Sequence, residues 1–243
     1  MTPIEFRRVT LFAAMPRKTV AEMAIASRWQ GYRSGVLVFR TGDPCLGITV
    51  VLDGFVRLFR LTGDGTEITT GIVPPGGLLA VAALRGECRH DDHAEALGYV
   101  RTVEIPIATV VAIGIRLPAL LATIARALID RIDRTFAAAV AWAGPCMSAR
   151  VVHILRSLAA VAQTRGHGPS TQGVIHRLGV RLSHKDLARL VGSDRETVTR
   201  ALRTLEAKGI IRRERGHITG VALGAVGVSL AGPTGASLAP DAA

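Results

Sequence analysis

The chain has 243 residues, of which 49% are hydrophobic and 20% are charged, so it can bury one large core or two modest ones. This composition excludes a wholly disordered, collagen-like or purely coiled-coil protein. The formal charge of +11 is uneven, because residues 1–115 carry 12 basic and 11 acidic side chains whereas residues 116–243 carry 18 and 8. The second half therefore predicts a polyanionic partner, such as nucleic acid or an anionic membrane surface.

The cysteines and the first residues of the chain indicate its cellular compartment and whether it binds a metal. Cys45, Cys88 and Cys146 form no C-x-x-C pair, so we expect neither a disulfide framework nor a metal site, and a reducing cytoplasm is the natural setting. The first residues do not resemble a secretion signal, and no apolar run reaches membrane length. We therefore expect a soluble cytoplasmic protein with no membrane partner.

Short β-rich runs follow one another between residues 32 and 107. In the run Val56–Leu61, the alternation predicts one wet face carrying Arg57, Phe59 and Arg60. Thr62-Gly-Asp-Gly65 has the composition of a hairpin turn. Strands about ten residues apart with tight turns predict a small antiparallel barrel or roll. The four runs are Val36–Phe39, Ile48–Leu52, Val56–Leu61 and Glu67–Val73.

A helical period begins after Pro118 and continues for about 25 residues, until Gly144-Pro145. Its apolar stripe could cover the roll, pair with a second copy, or do both. The residues predicted to form a dimer interface are Leu121, Ile124, Leu128, Ile132, Thr135 and Ala139.

The C-terminal third reads as helix, strand, helix, turn, helix and wing. A helix from about Ser148 to Gln163 precedes a polar loop at 165–170 and a short strand near 174–181. Two helices then flank Gly192, and residues 209–219 predict a two-stranded wing with Arg215-Gly216 at its tip.

The second helix of this pair has two distinct sides. At 100° per residue, its apolar positions Val198, Ala201, Leu202 and Leu205 fall on one side, and long polar side chains fall on the other. A recognition helix in the major groove requires this division, because arginine can donate two bonds to guanine and glutamate can accept from cytosine. We predict base reading by Arg195, Glu196 and Arg200.

Other polar side chains flank the same helix and are predicted to meet the DNA backbone. They are Ser183, His184, Lys185, Thr197, Thr199, Arg203, Arg213 and Arg215, with Arg189 and Arg212 as further basic candidates. The alternative is that Ser193 and Glu196 form a capping box and that the arginines are ordinary solvated charges.

Six motifs occur in one order along the chain: Gly42-Asp-Pro-Cys45, Leu52-Asp-Gly-Phe-Val-Arg-Leu58, Pro75-Gly76, Leu187-Ala-Arg-Leu-Val-Gly192, Ser193-x-Arg-Glu-Thr-Val-x-Arg200 and Gly209-Ile-Ile211. Together, from Leu11 to about Thr219, they resemble the bacterial transcription regulators typified by the cyclic-AMP receptor protein and the fumarate and nitrate reduction regulator, the CRP/FNR family.

The resemblance implies an α+β fold class. Its parts are an N-terminal antiparallel β-roll of the cyclic-nucleotide-binding type (a double-stranded β-helix), a long dimerisation helix and a C-terminal winged helix-turn-helix. We expect the sensor roll at 1–116, the dimerisation helix at 117–145, the DNA-binding domain at 146–225 and a flexible tail at 226–243.

The resemblance also implies partners. Members of the family bind double-stranded DNA as homodimers on inverted repeats, and an activator would contact RNA polymerase. Having arginine at Arg195 resembles the cyclic-AMP receptor branch, whose half-site resembles TGTGA.

The chain departs from the family at the effector pocket. Cyclic-nucleotide-binding members carry a Gly-Glu pair for the ribose and an Arg-Ser or Arg-Thr pair for the phosphate, whereas Ala80-Val81 and Asp91-Asp92 stand at these places here. Two carboxylates would repel a phosphate, so we expect an effector other than cyclic AMP in the usual mode. The alternative is a rearranged loop in which Arg85 or Arg89 meets a phosphate. The candidate pocket residues are Leu78, Leu79, Val81, Arg85, Arg89, Thr135 and Phe136.

Other effectors stay open, and the cofactor is undetermined. His90 and His93 lie where haem-binding gas sensors of the family place ligands, and imidazole suits iron. Cys88, between Arg85 and Arg89, is a candidate redox switch. An unidentified apolar ligand, or no ligand and control by protein abundance, is a further possibility.

Two different classes of function compete with DNA binding. The chain contains no G-x-S-x-G, no H-E-x-x-H and no P-loop, so we expect no enzyme activity. A protein-interaction module with a degenerate sensor roll is the other alternative, and it would be insensitive to replacement of Arg195 and Arg200.

Overall fold

The computed structural model describes residues 12–13, 15–86, 88–144, 146–163, 175–214 and 217–222. Five features predicted above lie outside the described residues: Leu11, Pro145, the polar loop at 165–170, the wing tip Arg215-Gly216 and the tail at 226–243.

The N-terminal domain is an antiparallel sheet that folds into a roll. Its strands run in the order β1-β6-β3-β4, with β2 also paired to β6 and β5 to β3. The strands are β1 Arg28–Tyr32, β2 Leu37–Phe39, β3 Gly47–Leu61, β4 Glu67–Val73, β5 Leu78–Leu79 and β6 His93–Pro106, and a 3-10 helix spans Val81–Arg85.

The observed strands differ from the predicted ones in two respects: two predicted runs form one strand, and β1, β5 and β6 were not predicted. Ile48–Leu52 and Val56–Leu61 form one strand, β3, because the sheet passes through Asp53-Gly54 with register shifts rather than a turn. Strand β6 pairs with three other strands but was not predicted, since its mixed pattern shows no clean alternation. The predicted hairpin turn is present, with the Gly65 amide donating to the Thr62 carbonyl at 2.9 Å.

Three helices pack against or extend from the roll: α1 Arg17–Ala26, α2 Ile107–Arg116 and α3 Pro118–Ala143. The prediction of a long helix is confirmed, and Pro118 occupies its first turn, where its missing N–H is not needed. Leu120 and Ile124 of α3 enter the cluster formed by Met23, Val50 and Ile113. One side of α3 is therefore part of the roll's own core.

The C-terminal domain packs three helices and a three-stranded sheet around one apolar cluster. Its elements are α4 Met147–Gln163, β7 Ile175–Leu182, α5 His184–Val191, α6 Arg195–Ala207, β8 Ile211–Glu214 and β9 His217–Ala222. Strands β8 and β9 form the predicted wing, and β7 joins the other edge of β9. Phe55 and Leu97 from the roll are buried in this same cluster, so the two domains share an apolar contact.

Candidate functional site

The turn between α5 and α6 is fixed by local sequence. Ser183 caps α5, and its side chain and that of Asp186 form a reciprocal capping box. Gly192 ends α5 with φ of 67°, a left-handed conformation that favours glycine. Asp194 caps α6 by accepting from the Thr197 amide at 2.7 Å. The alternative in which Ser193 and Glu196 cap α6 is therefore wrong.

Helix α6 divides into a buried side and an exposed side. Val198, Ala201, Leu202 and Leu205 are buried, as the spacing predicts. Arg195, Glu196 and Arg200 are all exposed, so the three predicted base-reading side chains share the solvent side of the helix.

Several predicted backbone contacts are instead engaged within the domain. His184 Nδ1 lies 3.1 Å from Thr199 Oγ1, which joins α5 to α6. The Ser183 hydroxyl is used in the capping box. Burial, followed by the charges of Arg213, Arg195 and Arg203, lowers the pKa of His184. Ser183, His184 and Thr199 therefore help to position the recognition helix through contacts within the domain.

Some of the predicted basic contacts are exposed side chains, and others have an acidic partner within the domain. Lys185 and Arg203 are exposed. Arg213 donates to Glu206, and its hydrogen bond to Glu206 raises the pKa of Arg213. Arg212 lies 3.5 Å from Glu214, and both are well exposed. Thr197 accepts from Arg200 at 3.2 Å.

Arg189 does not lie on the DNA-binding side in this structure. Its guanidinium contacts Glu67 and Glu95 of the roll, each at 2.9 Å, so the prediction that it meets a phosphate is wrong for this arrangement. The sequence suggested a phosphate contact because Arg189 is one of several basic side chains in the helix pair. The sequence does not show which side of this short helix faces the other domain.

Arg57 completes this interdomain ion-pair cluster, which consists of Arg57, Glu67, Glu95 and Arg189. Arg57 Nη1 lies 2.6 Å from Glu67 and 3.2 Å from Glu95. Its side chain is only 1% exposed, so the predicted wet face of this strand is wrong at Arg57 and also at the buried Phe59. The alternating pattern could not predict this burial, because the sequence does not distinguish a buried, ion-paired arginine from a solvated one.

The cluster also holds the backbone of α5. Arg57 Nη2 and Thr69 Oγ1 both donate to the Arg189 carbonyl, at 3.3 Å and 3.1 Å. Burial alone would raise the pKa of Glu67, but hydrogen bonds from Arg57 and Arg189 outweigh it, and the pKa of Glu67 is lowered. Glu67 therefore stays ionised at neutral pH. Through these contacts the roll binds α5, the first helix of the helix-turn-helix.

A cavity of about 360 Å³ lies inside the roll, between the sheet, the 3-10 helix and α3. Its charged groups are Arg60, Arg85, Asp91, Asp92 and Arg131. The carboxylates are already paired, since Arg85 lies 2.9 Å from Asp91 and Arg60 lies 2.8 Å from Asp92. The remaining lining residues are Phe39, Leu58, Ala80, Val81, Ala82 and His90.

The predicted pocket residues are only partly brought together. Val81 and Arg85 line this cavity, whereas Leu78 and Thr135 line a smaller one of about 50 Å³ between the roll, α3 and α4. Arg89 instead donates to the Gly42 carbonyl at 2.6 Å.

The other two predicted pocket residues lie elsewhere. Leu79 is fully buried in the core, and Phe136 is 68% exposed on the outside of α3. The helix is rotated away from the orientation that would point Phe136 inward.

Arg131 is a cavity residue that sequence reasoning missed. It lines both cavities, and its Nη1 donates to the Leu78 carbonyl at 3.4 Å. Burial lowers the pKa of Arg131. Its position one turn before Thr135 was a usable signal, because residues four apart share one side of a helix.

The two histidines proposed as haem ligands are stacked on phenylalanines. His90 stacks on Phe39 with ring centres 3.7 Å apart, and His93 stacks on Phe59 at 4.9 Å. Burial lowers the pKa of His90. His93 is the first residue of β6 rather than a loop residue. His90 therefore belongs to the cavity wall, and His93 packs on the sheet.

Helix α3 carries two apolar sides rather than the single stripe predicted. Ile124 is buried and Leu128 is partly buried against the roll, which contradicts their assignment to a dimer interface. Leu121, Ile132, Thr135 and Ala139 of the predicted set are exposed. The exposed large apolar residues of the helix, here named the outer stripe, are Leu121, Ile129, Ile132, Phe136 and Val140.

Comparison with known proteins gives the same division of the chain. Residues 29–113 match the family model of the cyclic nucleotide-binding domain, and residues 149–223 match that of the Crp-like helix-turn-helix domain. The global nitrogen regulator of Synechococcus elongatus is 30% identical over 191 residues, which cover 77% of this chain and 83% of that protein. The chain belongs to the CRP/FNR family of transcription regulators.

Further members of the CRP/FNR family agree. The cyclic AMP receptor protein of Thermus thermophilus is 28% identical over 187 residues, covering 77% of this chain and 81% of that protein. The c-di-GMP-responsive regulator CLP of Xanthomonas campestris superposes with a TM-score of 0.66 at 22% identity, covering 85% of this chain and all of the other. This superposition confirms the α+β fold class, with its N-terminal roll and C-terminal helix-turn-helix.

Membership of the CRP/FNR family settles the broad class of function. The chain is a DNA-binding transcription regulator with a cyclic-nucleotide-binding domain, and its relatives are regulators rather than enzymes. Within the described part of the chain, none of the helices combines the length and the apolar character that crossing a membrane requires.

Proposed function

We propose that this regulator works as a homodimer that reads an inverted repeat of double-stranded DNA with Arg195, Glu196 and Arg200. The observation that carries the proposal is the division of α6, in which these three side chains are exposed opposite a buried apolar side. Arginine at position 195 favours TGTGA-like half-sites. Lys185, Arg203, Thr197 and Thr199 flank the reading positions and serve the DNA backbone.

The outer stripe of α3 supports the dimer. At 100° per residue, its five members fall within an arc of about 100°, centred about 135° away from the roll-facing residues Leu120, Ile124 and Ala138. A strip of apolar side chains along three or more helical turns is suited to pairing with a copy of itself. Such pairing would hold two recognition helices about one DNA turn apart, about 34 Å.

The cavity of the roll is the proposed effector site, and cyclic AMP in the usual mode does not suit it. Val81 lacks the carboxylate that would hold a ribose, and Asp91 and Asp92 stand where the family carries its phosphate-binding Arg-Ser pair. A phosphate would have to separate Arg85 from Asp91 or Arg60 from Asp92 before either arginine could bind it. The haem alternative gains no support from imidazoles that are stacked on phenylalanines.

The test is selection of bound duplexes from a random DNA library, with and without cyclic AMP. We expect an inverted repeat from effector-free protein, no added enrichment with cyclic AMP, and loss of enrichment in Arg195→Ala/Arg200→Ala. Arg28→Ala, an exposed arginine on β1, is the matched control and should select the same repeat. Enrichment that requires cyclic AMP would contradict the effector proposal, and an unaffected double variant would favour the interaction-module alternative.

If this regulator is a cytoplasmic activator, it would also contact RNA polymerase.

A further inference from the structure

Cys45 and Cys88 are opposite one another across a short antiparallel pairing beside the effector cavity. Pro44 and Arg89 form an antiparallel bridge, and the Cys45 amide donates to the Cys88 carbonyl at 3.0 Å. Directly opposite residues of an antiparallel pair point to the same face. Opposite residues in the hydrogen-bonded register of an antiparallel pair have Cα atoms about 5.5 Å apart, within the range of about 4.4–6.8 Å that a disulfide spans.

The two thiols have different environments but a common contact. Cys45 is 5% exposed and packs in the same cluster that Cys88 partly covers. Burial, and next the hydrogen bond with the Cys88 thiol, raise the pKa of Cys45 to about 11. The Cys45 thiol also donates to the Ala80 carbonyl at 3.2 Å. Cys88 is only half-buried, so a small oxidant in solvent can reach it.

We propose that Cys45 and Cys88 form a reversible intrachain disulfide when the protein meets a hydroperoxide. The sequence alone argued against a disulfide, because the two cysteines are 43 positions apart and form no C-x-x-C pair. The fold removes that objection by pairing the segment before β3 with the segment before β6.

The reaction balances with hydrogen peroxide as the oxidant. The Cys88 sulfur attacks one peroxide oxygen, so that an S–O bond forms, the O–O bond breaks and water leaves, which gives a sulfenic acid. The Cys45 sulfur then attacks the Cys88 sulfur, the S–O bond breaks, and the departing hydroxide takes the Cys45 proton as a second water. Two thiols and one peroxide give one disulfide and two waters, and two electrons pass from sulfur to oxygen.

The position of this bond links it to the cavity. Ala80, whose carbonyl accepts from Cys45, and His90, two residues after Cys88, both line the cavity. Ala80 is a non-glycine residue with a positive φ, 57°, so this wall already holds a strained backbone. A disulfide here would fix the two segments that close one side of the cavity.

Peptide mapping of the full chain tests the proposal. Trypsin releases Cys45 in the peptide 41–57 and Cys88 in the peptide 86–89. The background is Cys146→Ser, because Cys146 is exposed and would otherwise cross-link separate chains. After reduction, removal of the reductant and one equivalent of hydrogen peroxide, remaining thiols are blocked with N-ethylmaleimide and the digest is analysed by mass spectrometry.

We expect the two peptides joined, with a mass about 2 Da below their sum, and separate again after dithiothreitol. In the Cys45→Ser control, Cys88 should go on to sulfenic or sulfinic acid with no joined peptide. Both thiols still alkylated after peroxide, or over-oxidation of Cys88 while Cys45 stays reduced in the parent protein, would overturn the proposal. Because the parent protein keeps both native cysteines, no outcome depends on a variant that fails to fold.

Discussion

Arg195 and Arg203 are both exposed on α6, but one is proposed to read a base and the other to meet a phosphate. We expect Arg195→Ala to weaken binding to the selected repeat by roughly 10- to 100-fold, because a bidentate contact to guanine contributes about 1–3 kcal/mol of discrimination. Binding to unrelated DNA should change far less. Fluorescence anisotropy with both duplexes measures the difference.

Arg203→Ala is the matched comparison. We expect it to weaken binding to both duplexes to a similar extent and to reduce the salt dependence of the affinity by about one unit of slope, because one phosphate contact is lost. If Arg195→Ala behaved in the same way, the assignment of base reading to Arg195 would be wrong.

His184 predicts a pH dependence at a single residue. Its folded pKa is lowered, by burial first and by neighbouring arginines second. The unfolded chain therefore takes up the proton more readily, and the stability that this residue contributes is present above pH 6.5 and lost as the pH falls below it. We expect the melting temperature of the wild type to fall more between pH 7.5 and 5.5 than that of His184→Asn.

The comparison isolates His184 because His90 and His153, whose pKa values burial also lowers, titrate in both proteins. Equal falls in melting temperature would show that the imidazole gains its proton as easily in the fold as outside it. The Thr199 contact would then be no more favourable to the neutral ring than to the charged one.

At the scale of elements, the interdomain ion-pair cluster decides how α5 sits on the roll. Arg57, Glu67 and Glu95 all belong to the roll, and only Arg189 comes from the DNA-binding domain. Arg189→Met removes the interdomain part and leaves the roll's own pairs. We expect faster amide hydrogen exchange in α5 and α6 with little change in β3 and β6, because the contact that the domains lose lies at α5.

Arg212→Met is the control for this experiment, since its side chain is 67% exposed and its ion pair among the described residues is with the exposed Glu214. It should leave exchange unchanged. Because the pKa of Glu67 is lowered, the docking should be insensitive to pH near neutrality and weaken as the pH falls below about 4.5, the ordinary range of a glutamate. Unchanged exchange in Arg189→Met would show that the apolar contact of Phe55 and Leu97 suffices.

For the whole molecule, the proposed homodimer rests on the outer stripe of α3. We expect Ile132→Glu/Phe136→Glu to convert a dimer of twice 25.7 kDa into a monomer, because two buried carboxylates cannot be tolerated in an apolar interface. Affinity for an inverted repeat should fall at least 100-fold, with binding to a half-site little changed. Sedimentation equilibrium gives the mass and anisotropy gives the affinity.

Ile25→Glu is the matched control, because Ile25 is 87% exposed on α1 and is not part of the outer stripe. It should stay dimeric. A wild type that sediments as a monomer at micromolar concentration, or a double variant that stays dimeric, would contradict the assignment of the outer stripe.

Local pattern was sufficient for the recognition helix. The period of Val198, Ala201, Leu202 and Leu205 fixed its buried side, and Gly192 marked the turn before it, because helix phase and a left-handed turn depend on neighbouring residues only. The long helix α3 and the wing were predicted for the same reason. The order of motifs along the chain was sufficient to indicate the CRP/FNR family.

Contacts between distant segments were decided only by the tertiary structure. Arg189 looks like any other basic residue of the helix pair, yet it is held by Glu67 and Glu95 from another domain. Some apolar residues of α3 face the roll and others form the outer stripe. The two sides are separated by roughly a third of a turn around the helix axis, and the sequence pattern predicted them as one stripe. Cys45 and Cys88 meet because β3 and β6 run side by side. In each case the stabilising free energy comes from burial and pairing between segments that are distant in sequence. The periodicity of the sequence does not show which distant segments meet.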